Sequence, residues 1–269
     1  MKDWVLLAFQ DIGNMSDIRE QFQRDGYYHA KGVFGAEEVA ALERDFDGIV
    51  RQLTASGEAI DATWDGGEAD KIARAGDVIL HTHNVQKYSR TWLNAFLNPR
   101  FLDVAEAILG QDIILHHSKL FQKPSENGSP FPMHQDWPYF PTLKDSMIAG
   151  IIHVSDATDE MGCLRVYPGS HRLGRVEGSD GRRQNDVIDQ HPIENALPVE
   201  CEAGDVVFFH YFTLHGSMPN RAAKTRKTVL CQLYEGHDQV EPGNQHPDER
   251  MVLRGWNHCI SRKAAGEAA

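Results

Sequence analysis

The chain has 269 residues, 41% of them apolar, and carries 27 Lys and Arg against 39 Asp and Glu, a formal charge of −12 with histidines neutral. That apolar content suffices for one sizeable core and excludes disorder as the overall state, while the acidic balance excludes a chain whose main task is to neutralise nucleic-acid phosphates or an anionic membrane. Cys163, Cys201, Cys231 and Cys259 form no CxxC pair, so no zinc ribbon or redox dithiol is indicated, and reduced thiols in a cytoplasm are expected.

The apolar stretch Trp4 to Phe9 is too short for a signal peptide or a membrane span. Ile18 to Asp25 reads as helical and leads into Gly26-Tyr27-Tyr28. Gly35 to Glu38 then opens a run in which Val39, Leu42, Phe46 and Ile49/Val50 recur at three-to-four spacing, predicting one amphipathic helix of about four turns. Glu37 and Glu38 suit the positive end of its dipole. Thr54 to Lys71, rich in Gly, Asp and Glu around a lone Trp64, reads as exposed loop. A second helix is predicted from Pro99 to Leu109, closed by Gly110.

From Ile113 the pattern turns to short strands: Ile113 to Lys123, Ser146 to Val154, Cys163 to Tyr167, Asp205 to Phe209 and Thr228 to Tyr234, broken at Asn127-Gly128, Pro168-Gly169 and Ala203-Gly204. Such a run implies a sandwich or barrel. Gly174 to Pro192, charged and nearly free of large apolar residues, reads as a long surface loop and a candidate lid. With no repeat and no linker, residues 1–269 are expected to form one α+β domain, a helical part over about 1–110 packed on an all-β core over about 111–260.

Histidine is in excess, 14 of 269 residues, about twice the usual share. In Phe131 to Pro141, an extended backbone would point His134 and Asp136 to the same side, so an imidazole nitrogen and a carboxylate oxygen can meet one ion. A third ligand must fold back from a distance, and His210 and His215 are the candidates; His215 is preferred because Gly216 after it permits close backbone approach. Two His and one carboxylate on one face of an octahedral ion leave three adjacent positions open, as in non-haem Fe(II) oxygenases. An HxD pair alone is more often surface or turn chemistry. Its weight rises here because Arg226 follows His215 eleven residues later, with a planar fork that can grip a carboxylate.

At this point the sequence resembles the phytanoyl-CoA dioxygenase family of Fe(II)/2-oxoglutarate-dependent oxygenases. The resemblance runs through Asp25-Gly26-Tyr27, Gly32-Val33-Phe34, Lys123-Pro124, His134-Gln135-Asp136 with Tyr139-Phe140-Pro141, and Asp156-Ala157-Thr158. It continues through Gly162 to His171, Gly204-Asp205, His215-Gly216-Ser217 and Asn220 to Arg226. It implies a double-stranded β-helix, the cupin-like jelly roll, flanked by N-terminal and surface helices, with iron at its open mouth. It implies His134, Asp136 and His215 as metal ligands, Arg226 as the residue binding the distal carboxylate of 2-oxoglutarate, and Ser217 as a hydroxyl assisting that grip. Arg221 and Lys227 are competing cations, but Lys227 should face away from Arg226 on the same strand. Related halogenases carry a small residue where Asp136 stands, so halogenation is disfavoured. The implied reaction is oxidative decarboxylation of 2-oxoglutarate with O2 to succinate and CO2, coupled to hydrogen abstraction from a substrate, with hydroxylation as the default outcome.

Alternation places His117, Lys119 and Phe121 on one strand face, where His117 and Lys119 are candidate contacts for cosubstrate or substrate against the plainer reading as sheet-surface residues. His81 and His83 share a face if extended; solvated loop is the plainer reading and a polar pocket wall the alternative. Trp137 and Phe140 flank the ligands and are candidates for substrate contact or core packing. His171 reads as structural, His210 as part of the strand leading to the site, and Arg165 as the partner of a carboxylate. The expected function is hydroxylation of a small molecule, either a small anionic metabolite such as a phosphonate or carboxylate or a hydrophobic secondary metabolite, with no nucleic-acid or membrane partner. The rivals are a catalytically silent binding protein of the same fold and a cupin-type metalloenzyme that uses no 2-oxoglutarate, for which Arg226 would have no task.

Overall fold

The computed structural model describes residues 14–62, 72–182, 185–242, 244, 246–263 and 265. The Trp4 to Phe9 stretch and Trp64 lie outside them. Helix α1 spans Met15–Asp25, with the Asn14 side chain accepting from the Ser16 N–H at its start. Strand β1, Tyr27–Ala30, leads to α2, Ala36–Ser56, where the Glu38 carboxylate accepts from the Gly35 N–H. This helix is longer than predicted because Leu53 continues the row of Leu42, Phe46 and Ile49; all four are buried, each contributing about 1.5–3 kcal/mol. Strands β2, Asp61–Ala62, and β3, Ile79–His83, precede α3, Arg90–Phe96, and α4, Pro99–Leu109, the latter ending at Gly110 as expected.

The β region then follows as β4, Ile113–Lys123; β5, Phe131–His134; β6, Ile148–His153; β7, Leu164–Val166; β8, Leu197–Val199; β9, Val206–His210; β10, His215–Ser217; β11, Arg226–Glu235; and β12, Met251–Arg254. A one-turn helix α5, Asp186–Asp189, lies within the predicted lid segment. The larger sheet runs β1-β9-β6-β11-β4-β3-β2 with β12 also on β4, and the smaller runs β5-β10-β7-β8; every ladder is antiparallel.

Strand alternation decides where the site sits. On β9, Val206 and Phe208 face outward into one core shared with α1 to α4, where the Phe101 and Phe208 rings are 5.3 Å apart. Val207 and Phe209 face inward and pack with Cys163, Leu164, Val166 and Val199 of the smaller sheet. The helices thus cover the back of the larger sheet and leave the space between the two sheets, a jelly roll, for a pocket. No helix among the described residues is long and apolar enough to cross a membrane.

Candidate active site

His134 ends β5 and His215 opens β10, and the two are paired in register on neighbouring strands. Their closeness depends on Gly216, where a Cβ would lie 2.9 Å from the Phe131 carbonyl oxygen and 3.0 Å from that of Pro132. Asp136 does not reach the site along an extended strand. It lies beyond the end of β5 with φ −81° and ψ −24°, its N–H bonded to the Tyr211 carbonyl, and this turn of backbone brings its carboxylate to the imidazoles. Its Oδ1 stands 3.5 Å from His134 Nε2 and 3.6 Å from His215 Nε2.

The protonation pattern is set by the backbone. His134 Nδ1 is 2.8 Å from the Pro132 carbonyl and His215 Nδ1 is 2.9 Å from that of Thr213. A carbonyl only accepts, so each Nδ1 carries the proton and each Nε2 turns its lone pair to the common centre. Burial opposes ionisation of Asp136, but His215, His134 and a 2.7 Å hydrogen bond from Gln232 Nε2 hold its pKa at about 2. Burial, helped by His134, lowers His215 to about 4. The cluster therefore turns two imidazole nitrogens and a carboxylate oxygen to one point, a donor set that suits a divalent ion such as Fe(II), with donor atoms within 4.8 Å of one another.

Arg226 and Ser217 line the same pocket. Arg226 is 6% exposed; its Nη1 donates to the Gly162 carbonyl, while Nε has no partner among the described residues. An arginine buried with an idle N–H is poised for a carboxylate. Lys123, paired with Arg226 across β4 and β11, is fully buried and donates to Ser217 Oγ at 2.6 Å and to the Met218 carbonyl at 2.7 Å. Burial and the neighbouring Arg226 push its pKa well down. The competing cations are spent elsewhere, Arg221 on Asp77 at 2.7 Å and Lys227 on Glu43 and Asp47 at 2.9 and 2.7 Å across the opposite face.

A pocket of about 560 Å³ joins these groups, and β3, β4 and β11 wall it with every second residue. His81 and His83 line it from β3, so the polar-wall alternative holds and the solvated-loop reading does not; His117, Lys119 and Phe121 line it from β4. The β11 face presents Arg226, Thr228, Leu230 and Gln232. Phe140 also lines it, whereas Trp137 packs with Ile114, Met147, Tyr211 and Phe212, its ring under Arg175, and does not reach the lining. His210 bonds the Asp145 carbonyl, His171 the Gln23 carbonyl, and Arg165 grips Asp159, all outside the lining.

Sequence reasoning missed Lys123, Gln232, His246, Arg182 and Gln135. Even spacing from Arg226 could have placed Gln232 on the pocket face. No local signal marks His246, whose ring stacks on His117 at 5.1 Å and whose Nε2 is 3.3 Å from Lys119 Nζ. Gln135, between the two ligands, has a fully buried side chain. It donates to the Gly174 and Phe212 carbonyls and accepts from the Val176 N–H and the Ser179 hydroxyl. It thereby ties the start of the predicted lid to the ligand segment.

Residues 22–228 match the family model described as phytanoyl-CoA dioxygenase. The probable alpha-ketoglutarate-dependent hypophosphite dioxygenase of Stutzerimonas stutzeri is 29% identical over 264 residues, covering 92% of this chain and 88% of that protein. The peroxisomal phytanoyl-CoA dioxygenase of Homo sapiens is 30% identical over 229 residues, covering 80% and 67%. Among solved structures, the epimerase SnoN in complex with Fe3+, alpha ketoglutarate and nogalamycin RO superimposes with a TM-score of 0.70 at 23% identity, covering 89% of this chain and 98% of that one.

Proposed function

The chain belongs to the phytanoyl-CoA dioxygenase family, and on that premise we propose that this Fe(II)/2-oxoglutarate-dependent dioxygenase hydroxylates a C–H bond of a small anionic molecule such as a phosphonate or carboxylate. His134, Asp136 and His215 hold the iron, and Arg226, with Ser217 and Lys123 beside it, takes the distal carboxylate of 2-oxoglutarate. Bound there, Fe(II) with O2 and 2-oxoglutarate supplies the oxidising power for C–H cleavage, with succinate and CO2 as coproducts. The residues of the chain do the positioning: the two Nδ1–H anchors hold the imidazoles in one tautomer, Gln232 orients Asp136, and the rings of Phe121, Phe131 and Phe140 give the pocket apolar walls. Because α1 to α4 share one core with the larger sheet, the chain is read as acting as one unit.

The observation that carries the substrate class is the second polar end of the pocket. Lys119 lies four residues from Lys123 on β4, about 13 Å along the strand, and is joined by Arg182, His81, His83, His117 and His246. Among the described residues lining the pocket, Asp136 is the one carboxylate. With Arg226 assigned to the cosubstrate, Lys119 and Arg182 are left for a second anion. His83 Nε2 and His117 Nε2 are buried without partners among the described residues, ready to complete its hydrogen bonds. The kinship with a hypophosphite dioxygenase supports the same class.

The test begins with anaerobic titration of the metal-free protein with Fe(II) and then 2-oxoglutarate, following the weak visible charge-transfer band of a chelated 2-oxo acid in wild type and His215→Ala. Succinate release is then measured with small phosphonates and carboxylates beside their neutral analogues. A band lost in the variant, and turnover confined to the anions, is the expected result. Turnover of the neutral analogues with equal efficiency overturns the substrate class; the absence of any band with iron bound overturns the cosubstrate assignment.

A further inference from the structure

A second set of two histidines and a carboxylate lies at the surface, outside the pocket lining. Asp112 stands just before β4, His237 just after β11, and His258 after β12. One donor atom from each lies within 4.8 Å of the others. The His237 and His258 rings stack with centroids 3.8 Å apart and planes 15° from parallel, and His258 Nε2 is 2.9 Å from Asp112 Oδ2. The side chains of His237 and His258 are 52% and 39% exposed, so an ion has access.

Two features set this cluster apart from a chance meeting of surface side chains. First, His237 Nδ1 is held at 2.7 Å by the Glu235 carboxylate. That bond occupies Nδ1 and leaves Nε2 as the nitrogen free to coordinate, the outer support that metal-binding imidazoles use. Second, the backbone is tied at all three segments: Gly236 N–H donates to the Asp112 carbonyl, His258 N–H to the Gly236 carbonyl, and Trp256 N–H to Asp112 Oδ1. A Cβ on Gly236 would come within 2.2 Å of the Trp256 carbonyl oxygen, so the close approach is specific to glycine. The backbone of the three segments is thus fixed by bonds that do not depend on the ion, and coordination would turn the stacked imidazoles apart and replace the His258–Asp112 hydrogen bond.

We infer that Asp112, His237 and His258 form a second metal site, for a borderline divalent ion such as zinc, that clips the two ends of the 237–258 excursion to the start of β4. Two imidazoles and one carboxylate suit zinc, nickel or copper, whereas magnesium and calcium require oxygen ligands. Water completes the shell on the exposed side. The excursion between the clipped ends carries Asn244, which bonds His116, and His246, which stacks on His117 in the pocket wall. Closing a chain segment at its ends lowers its entropy in the open state, so the ion steadies a pocket wall it does not touch.

Zinc bound per chain is measured at equilibrium, with free zinc buffered in the micromolar range, on metal-free wild type, His215→Ala, His237→Gln and the double variant. Two zinc ions in wild type, one in each single variant and none in the double variant are expected. Zinc should also slow amide hydrogen exchange across 237–258 in His215→Ala and leave it unchanged in the double variant. Two ions retained by His237→Gln, or a single ion in wild type that His215→Ala abolishes, overturns the inference and leaves His258 and Asp112 as a hydrogen-bonded pair only. The wild-type and His237→Gln pair decides the question by itself should His215→Ala fail to fold, and neither reading depends on the identity of the oxygenase substrate.

Discussion

Arg226 is the residue on which the cosubstrate assignment turns. Its removal takes away a charge-assisted pair worth about 1.5–3 kcal/mol, so Arg226→Ala should raise KM for 2-oxoglutarate roughly ten- to hundred-fold while Fe(II) affinity stays near wild type. Collapse of iron loading with unchanged 2-oxoglutarate dependence would refute the assignment. Gln232→Leu acts at the other end, since it frees Asp136 Oδ2 from its 2.7 Å donor. Losses of such outer partners cost about 10- to 100-fold in metal affinity, to be read in an Fe(II) titration. Lys119 carries a pH signature. Burial lowers it to about 8 against the opposing pull of Asp136. Facing it in the pocket are Arg182 and the imidazoles of His81, His83 and His246, the last three lowered by burial and neutral above pH 7. The ammonium is present below about pH 8 and lost above it, so kcat/KM for an anionic substrate should fall as pH rises through about 8. Lys119→Met should remove that inflection; its persistence in the variant would assign it to another group.

Gly216 and Lys227 show how differently neighbours of the site weigh at the level of the elements. Gly216→Ala forces a methyl against two carbonyl oxygens of β5. The separation of β5 from β10 should cost about 1–3 kcal/mol and weaken iron binding with it, measured by denaturant midpoint and metal titration together. Lys227→Ala breaks two pairs with partly exposed carboxylates, and such pairs are worth under about 1 kcal/mol, so neither stability nor KM should move much. What was legible in the sequence follows the same division. The long elements α2, α4, β4 and β11 repeat their pattern over enough residues to be read. The three- and four-residue strands β5, β7, β8 and β10 are held by their partners, and only β7 lay within a predicted strand. His134, Asp136, His215 and Arg226 stood out because turn glycine and ligand chemistry are local in sequence. His246 did not, because its place in the pocket depends on a distant stretch of chain packing against β4.

For the molecule as a whole, the larger sheet separates a face that serves stability from one that serves chemistry. Phe101, fully buried against Phe208 on the helix side, can be cut to Ala at a cost of about 3–5 kcal/mol. The variant should unfold at lower denaturant yet keep the wild-type KM for 2-oxoglutarate per folded molecule; a shifted KM would mean that the two faces are coupled. Alternation made one face of β4 readable as a candidate pocket wall, whereas the depth of the helical cover was not, since α3 spans seven residues and shows its i, i+3, i+4 pattern of Trp92, Ala95 and Phe96 only once. The buried amide of Gln135 crosses this division of labour, standing between two metal-binding candidates and gripping Gly174, Val176 and Ser179. The 174–182 segment and the pair proposed to hold the metal are therefore not interchangeable modules. Whoever transplants the 174–182 loop from a relative to change what this enzyme oxidises must transplant residue 135 with it, or the graft will arrive without the bolt that seats it.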